Sequence, residues 1–203
     1  MNETLRERIV DAALALAGEC SWERVRLHDV ADRLGVTLAD IGRHFREKEE
    51  ITDAWFDRAD RVLLAATAAP TLEPLSARER FAELLMTWLG ALAPHRRVTR
   101  QMLAGKLEFG HVHYQFAGLL RISRTVQWLR EGARLDEPLP WRALEESALT
   151  SIYLATVVLW LNDDSEQSAA TRRFLNRLLD RGERLAGVVG PWFGRAGTAR
   201  KAA

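Results

Sequence analysis

The chain has 203 residues, of which 47% are apolar and 28% are charged, and its formal net charge is +1. This composition is typical of a globular protein, and a chain of this length can bury a substantial core. The nearly neutral charge excludes a global attraction to nucleic acid or to anionic membranes. The sequence holds no run of about 18 uncharged apolar residues that could span a bilayer, so we expect a soluble protein.

The start of the chain and its cysteine content indicate a compartment. Residues 1–8 are polar and lead directly into an amphipathic pattern, which predicts that no signal peptide is present. Cys20 is the single cysteine, so an internal disulfide is impossible, as is usual in the reducing cytoplasm. We expect a cytoplasmic protein in which the Cys20 thiol is buried as a small apolar group.

Helical periodicity dominates the chain, and no alternating strand pattern competes with it. Thr4 and Glu7 predict a capping box at the start of the first helix. The apolar stripe of that helix consists of Ile9, Ala12, Ala13, Leu16 and Ala17. The fold class that this pattern predicts is all-α.

Residues 29–51 are the most informative stretch, because they predict two short helices joined by a tight turn. Gly35 lies at the turn, where a side chain would clash, and Thr37 with Asp40 predicts a capping box for the second helix. Phe45 is expected to fill the small core that the first three helices share. This is the helix-turn-helix pattern, whose second helix enters the major groove of DNA.

The charges around this motif favour DNA less clearly than its geometry does. Thr37, Arg43 and His44 are the plausible donors on the second helix. Asp40 could accept a hydrogen bond from a cytosine amino group, but its capping position explains it without DNA. Residues 1–50 carry eight basic and eleven acidic side chains, a net charge of −3, which is a poor balance for tight DNA binding.

The rest of the chain predicts six further helices separated by polar or proline-containing breaks. The fourth helix begins near residue 47 and ends at the break over 70–74, and helices over 76–92 and 96–107 follow. An irregular join over 110–114 precedes a long helix that ends near 134. The last two helices are predicted at 141–161 and 165–188, with a polar turn between them.

Aromatic side chains are frequent in the helices that would enclose a ligand. Any one of them is most simply a core residue, but together they favour an apolar pocket over a polar one. The candidate ligand-binding residues are Trp88, Met102, Phe109, His113, Phe116, Trp128, Tyr153 and Trp160. A lipid, a quinone or another hydrophobic small molecule follows as the hypothesis for the ligand.

Metal binding and catalysis have no support in the sequence. His95, His111 and His113 lack the i, i+4 spacing of a helical zinc site, and orienting a ligand or capping a helix explains them better. No nucleophile motif, glycine-rich phosphate loop or close carboxylate pair is recognisable. We expect neither a metal, nor a cofactor, nor an enzymatic activity.

The N-terminal pattern resembles the TetR family of bacterial transcriptional regulators. The residues that carry the resemblance are Ile9 to Ala13, Val30 and Ala31, Gly35 and Val36, His44 and Phe45, and Lys48 to Ile51. It implies a homodimer, paired through the last two helices, that binds double-stranded DNA and is released when a small ligand binds. The domains expected from it are a helix-turn-helix domain at 1–48, a helical ligand-binding and dimerisation domain at 49–190, and a flexible tail at 191–203.

The same resemblance gives the expected DNA contacts, which are Arg26, Thr37, Leu38, Ala39, Arg43, His44 and Lys48. The family usually has Lys, Gly, Thr and Tyr where this chain has Leu38, Ala39, Asp40 and Gly42. Arg26 stands where a Ser or Thr commonly contacts a phosphate. The tyrosine that is missing at Gly42 would have supplied both a phosphate donor and a packing group.

The C-terminal region resembles a second protein type, the lipid-binding accessory protein of ubiquinone biosynthesis, which has a TetR-like fold without being a repressor. The matching residues are Ala148 to Tyr153, Thr156, Trp160, Asp163 to Ser165, Thr171 to Leu175 and Arg177. This resemblance implies an alternative function, in which the chain binds a lipid or isoprenoid and does not bind an operator. Both alternatives remain open from the sequence.

Overall fold

A computed structural model describes residues 4–107, 112–136 and 141–189, with side chains described at 4–105, 122–136 and 142–184. Within these ranges the chain forms nine α-helices and no strand, which confirms the predicted all-α class. The helices are α1 (Leu5–Glu19), α2 (Leu27–Leu34), α3 (Leu38–Gly42), α4 (Lys48–Ala66), α5 (Ala77–Leu92), α6 (Arg96–Leu107), α7 (Val112–Ala133), α8 (Trp141–Trp160) and α9 (Ala169–Val189). The predicted tail at 191–203 lies outside the described residues.

Two helix starts differ from the prediction. Helix α7 already begins at Val112, inside the segment expected to be irregular. Helix α9 begins at Ala169 rather than at residue 165, because a 3₁₀ turn over Glu166–Ser168 comes first, with positive φ at Gln167 (50°) and Ser168 (56°). The carboxylate of Asp163 accepts hydrogen bonds from Ser165 and Thr171, and these hold the turn between α8 and the first residues of α9.

The contacts divide the chain into two compact units. Unit 1 comprises Met1–Ala59 and Leu92–Gln115, and unit 2 comprises Asp60–Ala91 and Phe116–Ala203. Helix α6 therefore belongs with the N-terminal helices, and α4 contributes residues to both units. The domain boundary predicted between residues 48 and 49 separates the expected DNA-binding region from the expected ligand-binding region, whereas the two units are defined by contacts. That boundary stays a prediction.

The core of unit 1 forms where the first helices meet. The predicted stripe of α1 is buried at four of its five positions, and Leu16 is half-buried. Phe45 is 1% exposed, and Ile9, Val30 and Ile41 of α1, α2 and α3 are fully buried, so Phe45 belongs to the core of this unit as expected. Burial of these apolar side chains holds the short helices together, since helices of this length are marginal on their own.

Helix α6 is joined to the rest of unit 1 by polar contacts. The Gln101 side chain accepts a hydrogen bond from the backbone N–H of Trp22 at 2.8 Å. The indole N–H of Trp55 donates to the hydroxyl of Thr99 at 3.0 Å inside the core. The guanidinium of Arg97 donates to the carbonyl of Gly18 at the end of α1. These contacts link residues about 40 to 80 positions apart, which the periodic pattern does not specify.

The expectation that the Cys20 thiol is buried is wrong, because Cys20 is exposed. The residue caps the C-terminus of α1, where its backbone N–H donates to the carbonyl of Leu16 at 3.0 Å. Its Sγ also lies 3.2 Å from that carbonyl and points away from the core. Composition alone favours burial of a lone cysteine, but the position at the helix end decides the outcome.

Unit 2 buries several polar side chains together with its apolar core. Arg130 of α7 and Glu145 of α8 are 2% and 1% exposed and form an ion pair at 2.8 Å. The carboxylate of Asp60 accepts from the indole N–H of Trp88 at 2.7 Å and from the hydroxyl of Thr125 at 3.1 Å. The bonded atoms, which are Arg130 Nη2, Glu145 Oε2 and Asp60 Oδ1, thereby keep hydrogen bonds when they are removed from water.

Candidate functional site

The helix-turn-helix has the geometry that its sequence predicted. Helix α2 ends at Leu34, and Gly35 adopts the left-handed conformation with φ 65° and ψ 35°. The N–H of Val36 donates to the carbonyl of Ala31 at 3.0 Å and closes the turn. The expected clash of a side chain at this position is wrong, since a Cβ added to Gly35 would contact nothing within 4 Å. The positive φ of the backbone is what favours glycine here.

The start of α3 is held by the predicted capping box. The hydroxyl of Thr37 accepts from the N–H of Asp40 at 3.1 Å, while the N–H of Thr37 donates to Asp40 Oδ2 at 2.9 Å. The Thr37 hydroxyl also donates to the same carboxylate oxygen at 2.6 Å. The Thr37 side chain is therefore engaged within the protein as both donor and acceptor.

Asp40 and Arg43 form an ion pair on the outer face of α3. Arg43 Nη1 donates to Asp40 Oδ1 at 2.5 Å, and the Arg43 side chain is 72% exposed. Hydrogen bonds from Thr37, together with the nearby Arg43 charge, lower the pKa of the Asp40 carboxyl below its usual range. At neutral pH the pair therefore consists of a carboxylate and a guanidinium with no net charge.

The remaining surface of α3 is open to solvent. Leu38 is 54% exposed, and Ala39, Gly42 and His44 are exposed as well, while Ile41 points into the core. The helix thus presents a face that the described part of the chain leaves uncovered, as a recognition helix requires. Donor groups on this face are few, because Leu38 and Ala39 provide only apolar contacts.

Arg26 and Lys48 converge on a second point in unit 1. Arg26 Nη1 donates to the carbonyl of Glu23 at 2.6 Å, and Lys48 Nζ donates to the same carbonyl at 3.3 Å and to that of Trp22 at 3.1 Å. The ammonium of Lys48 also lies 5.2 Å from the ring centre of Trp22. Partial burial, reinforced by the charge of Arg26, lowers the pKa of Lys48 although Glu49 and Glu23 oppose the shift.

The predicted DNA contacts therefore fall into two groups. Thr37, Leu38, Ala39, Arg43 and His44 lie on or beside α3, whereas Arg26 and Lys48 meet at the 3₁₀ turn over Trp22–Arg24. Sequence reasoning explained Asp40 by capping, beside a possible contact with cytosine, and did not connect it with Arg43. Their i, i+3 spacing on a helix was the available signal.

The predicted ligand-binding residues are distributed over both units. Trp88, Tyr153 and Trp160 are buried in unit 2, where the rings of Trp88 and Tyr153 pack edge to face with centres 5.5 Å apart. Met102 is buried in unit 1, and Trp128 is 38% exposed. Phe109 lies outside the described residues, as do the side chains of His113 and Phe116.

One groove of about 360 Å³ lies on unit 2. It is bordered by Ala66, Ala69, Thr71, Leu72, Leu75, Glu83, Leu84 and Thr87. Among the described residues that border it, none belongs to the predicted ligand-binding set. Within the described chain, no three His, Cys, Asp or Glu side chains lie close enough to share a metal ion.

Comparisons with known proteins identify the family. The model of the bacterial regulatory proteins of the tetR family matches residues 9–54, which include most of α1, all of α2 and α3, and the start of α4. The TetR transcriptional regulator from Nitrosomonas europaea ATCC 19718 is 49% identical, over 88% of this chain and 98% of that one, with a TM-score of 0.79. The chain belongs to the TetR family.

Two further structures share the fold of this TetR-family protein at lower identity. A TetR transcriptional regulator from Rhodococcus sp. RHA1 is 22% identical, over 85% of this chain and 93% of that one, with a TM-score of 0.62. The transcriptional regulator FadR from Bacillus subtilis, solved in complex with stearoyl-CoA, is 18% identical, over 85% and 96%, with a TM-score of 0.55. Both identities are low enough that they support the fold alone.

A second family model matches the C-terminal region of this TetR-family protein. The COQ9 family model matches residues 147–186, which include most of α8 and α9. A comparison with curated proteins produced no significant match. Among the described helices, none combines the length and the hydropathy that crossing a membrane requires.

Proposed function

We propose that this TetR-family protein is a transcriptional regulator that binds operator DNA as a homodimer and leaves it when a hydrophobic small molecule binds. The observation that supports this most strongly is the helix-turn-helix, with its glycine turn, its capped α3 and its solvent-exposed outer face. Family membership supports the same function, because the 49% identical relative is described as a transcriptional regulator.

In this proposal α3 lies in the major groove of the DNA. The 3₁₀ turn over Trp22–Arg24, which precedes α2, lies on the DNA backbone. Leu38 and Ala39 make apolar contacts with base edges, and Arg43 and His44 supply donors. Arg26 and Lys48, which meet near the N-terminus of α4, hold a phosphate between them. Thr37 positions α3 through its capping bonds. It contacts the DNA backbone with the side-chain atoms that these bonds do not use.

The outer face of α8 supports dimer formation. Leu144, Leu154 and Val158 are 51%, 41% and 63% exposed. Together with exposed Ser147 and Ser151 they recur at alternating steps of three and four residues, the spacing of a helix face that packs on another helix. A second copy of this chain covers this face, since apolar side chains in such a row are rarely left in water.

The ligand proposed for unit 2 is hydrophobic. The aromatic pair Trp88 and Tyr153 lies in the core of this unit, and Trp160 is buried there too. The Bacillus subtilis FadR, a protein of the same fold, was solved with stearoyl-CoA, which agrees with a long-chain apolar ligand here. The ligand lowers DNA affinity because it binds better to the conformation that does not bind DNA.

DNA binding is tested by fluorescence anisotropy with duplexes from the regions flanking the gene and with a random duplex of equal length. We expect tighter binding to one flanking duplex and a steep fall in affinity with salt. Arg43→Ala weakens this binding, whereas Arg173→Ala, which removes an exposed arginine of α9, serves as the matched control. Equal, weak binding of all duplexes at low salt contradicts the proposal.

The second candidate is a lipid-binding accessory protein, and the match of residues 147–186 to the COQ9 model favours it. The ion pair of Asp40 with Arg43 is compatible with it too, because it removes one net positive charge from α3. Organic extraction of the purified protein followed by mass spectrometry tests this candidate. A co-purifying isoprenoid lipid together with the absence of DNA binding selects it over the regulator.

A further inference from the structure

We propose that Asp40 and Arg43 act as one unit that recognises a guanine in the major groove, with Asp40 holding Arg43 in the orientation that binds the base. This inference rests on the proposed function, since it concerns DNA binding by α3. Arg43 is the group that contacts the base, and Asp40 is a positioning residue. The pair thereby determines one base of the operator half-site.

The first step of the argument is that the Asp40 carboxylate has a fixed orientation. Its Oδ2 accepts from the N–H and the hydroxyl of Thr37 at 2.9 and 2.6 Å. Its Oδ1 accepts from Arg43 Nη1 at 2.5 Å. Each oxygen therefore has its own partner residue, and the two bonds from Thr37, the N-cap of α3, keep the carboxylate from turning. A carboxylate fixed in this way is a rigid support for the side chain that it binds.

The second step concerns the donors that remain on Arg43. A guanidinium carries five N–H groups in a plane, and the bond to Asp40 involves Nη1. Nε and Nη2 share another edge of the same plane, and the side chain is 72% exposed. Two parallel N–H groups match the O6 and N7 acceptors of guanine, which is the commonest specific contact of arginine in the major groove.

The third step distinguishes a base from a phosphate. The carboxylate of Asp40 is repelled by the DNA backbone, so a phosphate is a poor partner for this pair. The ion pair is neutral, and it therefore gives up most of the nonspecific attraction that a free arginine contributes. Its directional hydrogen bonds remain, and fixing the side chain beforehand reduces the entropy lost on binding. The arrangement favours discrimination between bases over affinity.

The experiment begins with selection of binding sequences from a randomised duplex library by the wild-type protein. In the selected site each guanine is then replaced in turn by 7-deazaguanine, which lacks the N7 acceptor. We expect a loss of about 10-fold or more in affinity at one guanine of each half-site. The same replacement has no effect on Arg43→Ala, and it costs Arg43→Lys less than wild type, because an ammonium can approach N7 but lacks the planar pair of donors.

Asp40→Asn separates positioning from capping. The amide oxygen still accepts from Thr37, whereas the charged partner of Arg43 is lost. We expect this variant to bind random duplex more tightly, since a negative charge is removed, and yet to lose the preference for that guanine. A structural defect of α3 would instead weaken binding to all sequences alike, and thermal melting by circular dichroism verifies that the variant is folded.

Three outcomes overturn the inference, and they are distinguishable. If no sequence is enriched and no duplex binds at low salt, the proposed function fails and the inference fails with it. If a site is enriched but no guanine depends on Arg43, only the inference fails. If Arg43→Ala keeps the base preference and Asp40→Asn loses it, Asp40 itself accepts from the paired cytosine and the assignment to Arg43 is wrong.

Discussion

Asp163 and Thr171 join the end of α8 to the start of α9 through two hydrogen bonds to one carboxylate oxygen. The backbone N–H of Thr171 donates to Asp163 Oδ2 at 2.8 Å, and its hydroxyl donates to the same atom at 2.6 Å. Both residues are buried, at 5% and 0% exposure. The carboxylate therefore satisfies an N-terminal donor of α9 in a place where water is excluded.

Replacing Asp163 with Ala should destabilise the protein by roughly 2–4 kcal/mol, because the buried donors of Thr171 and the half-buried donors of Ser165 lose a charged acceptor. Urea unfolding followed by circular dichroism measures the loss. Asp164→Ala is the matched control, since this neighbour is exposed, and we expect a change within about 0.5 kcal/mol. Equal effects of the two variants would contradict the assigned role of Asp163.

The same carboxylate should make stability depend on pH in the acid range. Burial opposes ionisation of Asp163, but hydrogen bonds from Ser165 and Thr171 outweigh it and hold its pKa far below the usual range. The stabilisation is therefore complete above the unfolded-state pKa of about 3.9 and is lost as the pH falls below it. The difference in unfolding free energy between wild type and Asp163→Ala should therefore shrink as the pH falls from about 6 to about 3. A constant difference from pH 6 to pH 3 argues against this origin.

The buried pair of Arg130 and Glu145 should respond differently to single and double replacement. Glu145→Gln leaves the guanidinium of Arg130 buried without its counter-charge, and we expect a loss of about 3–5 kcal/mol. Replacing both residues with apolar side chains of similar size, Arg130→Met with Glu145→Leu, should cost much less. Unfolding of Arg130→Met, Glu145→Leu and the double variant measures the coupling, and additive losses would show that the residues act independently.

Gly132 should be more sensitive to a methyl group than other helical glycines. A Cβ at this position would lie 2.6 Å from Leu84 Cδ1 and 2.9 Å from Thr67 Cγ2, whereas one at Gly90 would contact nothing within 4 Å. We expect Gly132→Ala to cost about 1–3 kcal/mol through overpacking and Gly90→Ala to stabilise by up to about 1 kcal/mol. Thermal melting compares the two variants, and the reverse order would contradict the close approach at Gly132.

The exposed face of α8 should decide the oligomeric state. Val158→Arg places a charge on the row formed with Leu154 and Leu144, and we expect the variant to be monomeric, while wild type sediments as a dimer. Val62→Glu on α4, where the wild-type side chain is 42% exposed, is the matched control and should leave the dimer intact. Analytical ultracentrifugation distinguishes these states, and a dimeric Val158→Arg protein would place the interface elsewhere.

Local signals in the sequence predicted most of the fold because they act through neighbouring residues. The bonds between Thr37 and Asp40 span three positions, and Gly35 needs only its own backbone to adopt φ 65°. The start of α9 was less predictable. It depends on Asp163 reaching Thr171 eight residues later, across a turn with positive φ values that no simple periodicity indicates.

Of the candidate DNA site, the sequence specified the helix-turn-helix, its caps and the side chains on α3, since each follows from spacing along one or two helices. The tertiary structure decided which of these side chains remain available to contact DNA. It placed Lys48 on the carbonyls of Trp22 and Glu23, about 25 positions away, and exposed Cys20 at a helix end. The physical reason is that hydrogen-bond partners and burial depend on which distant segments meet in the folded chain, whereas caps and turns depend on their immediate neighbours.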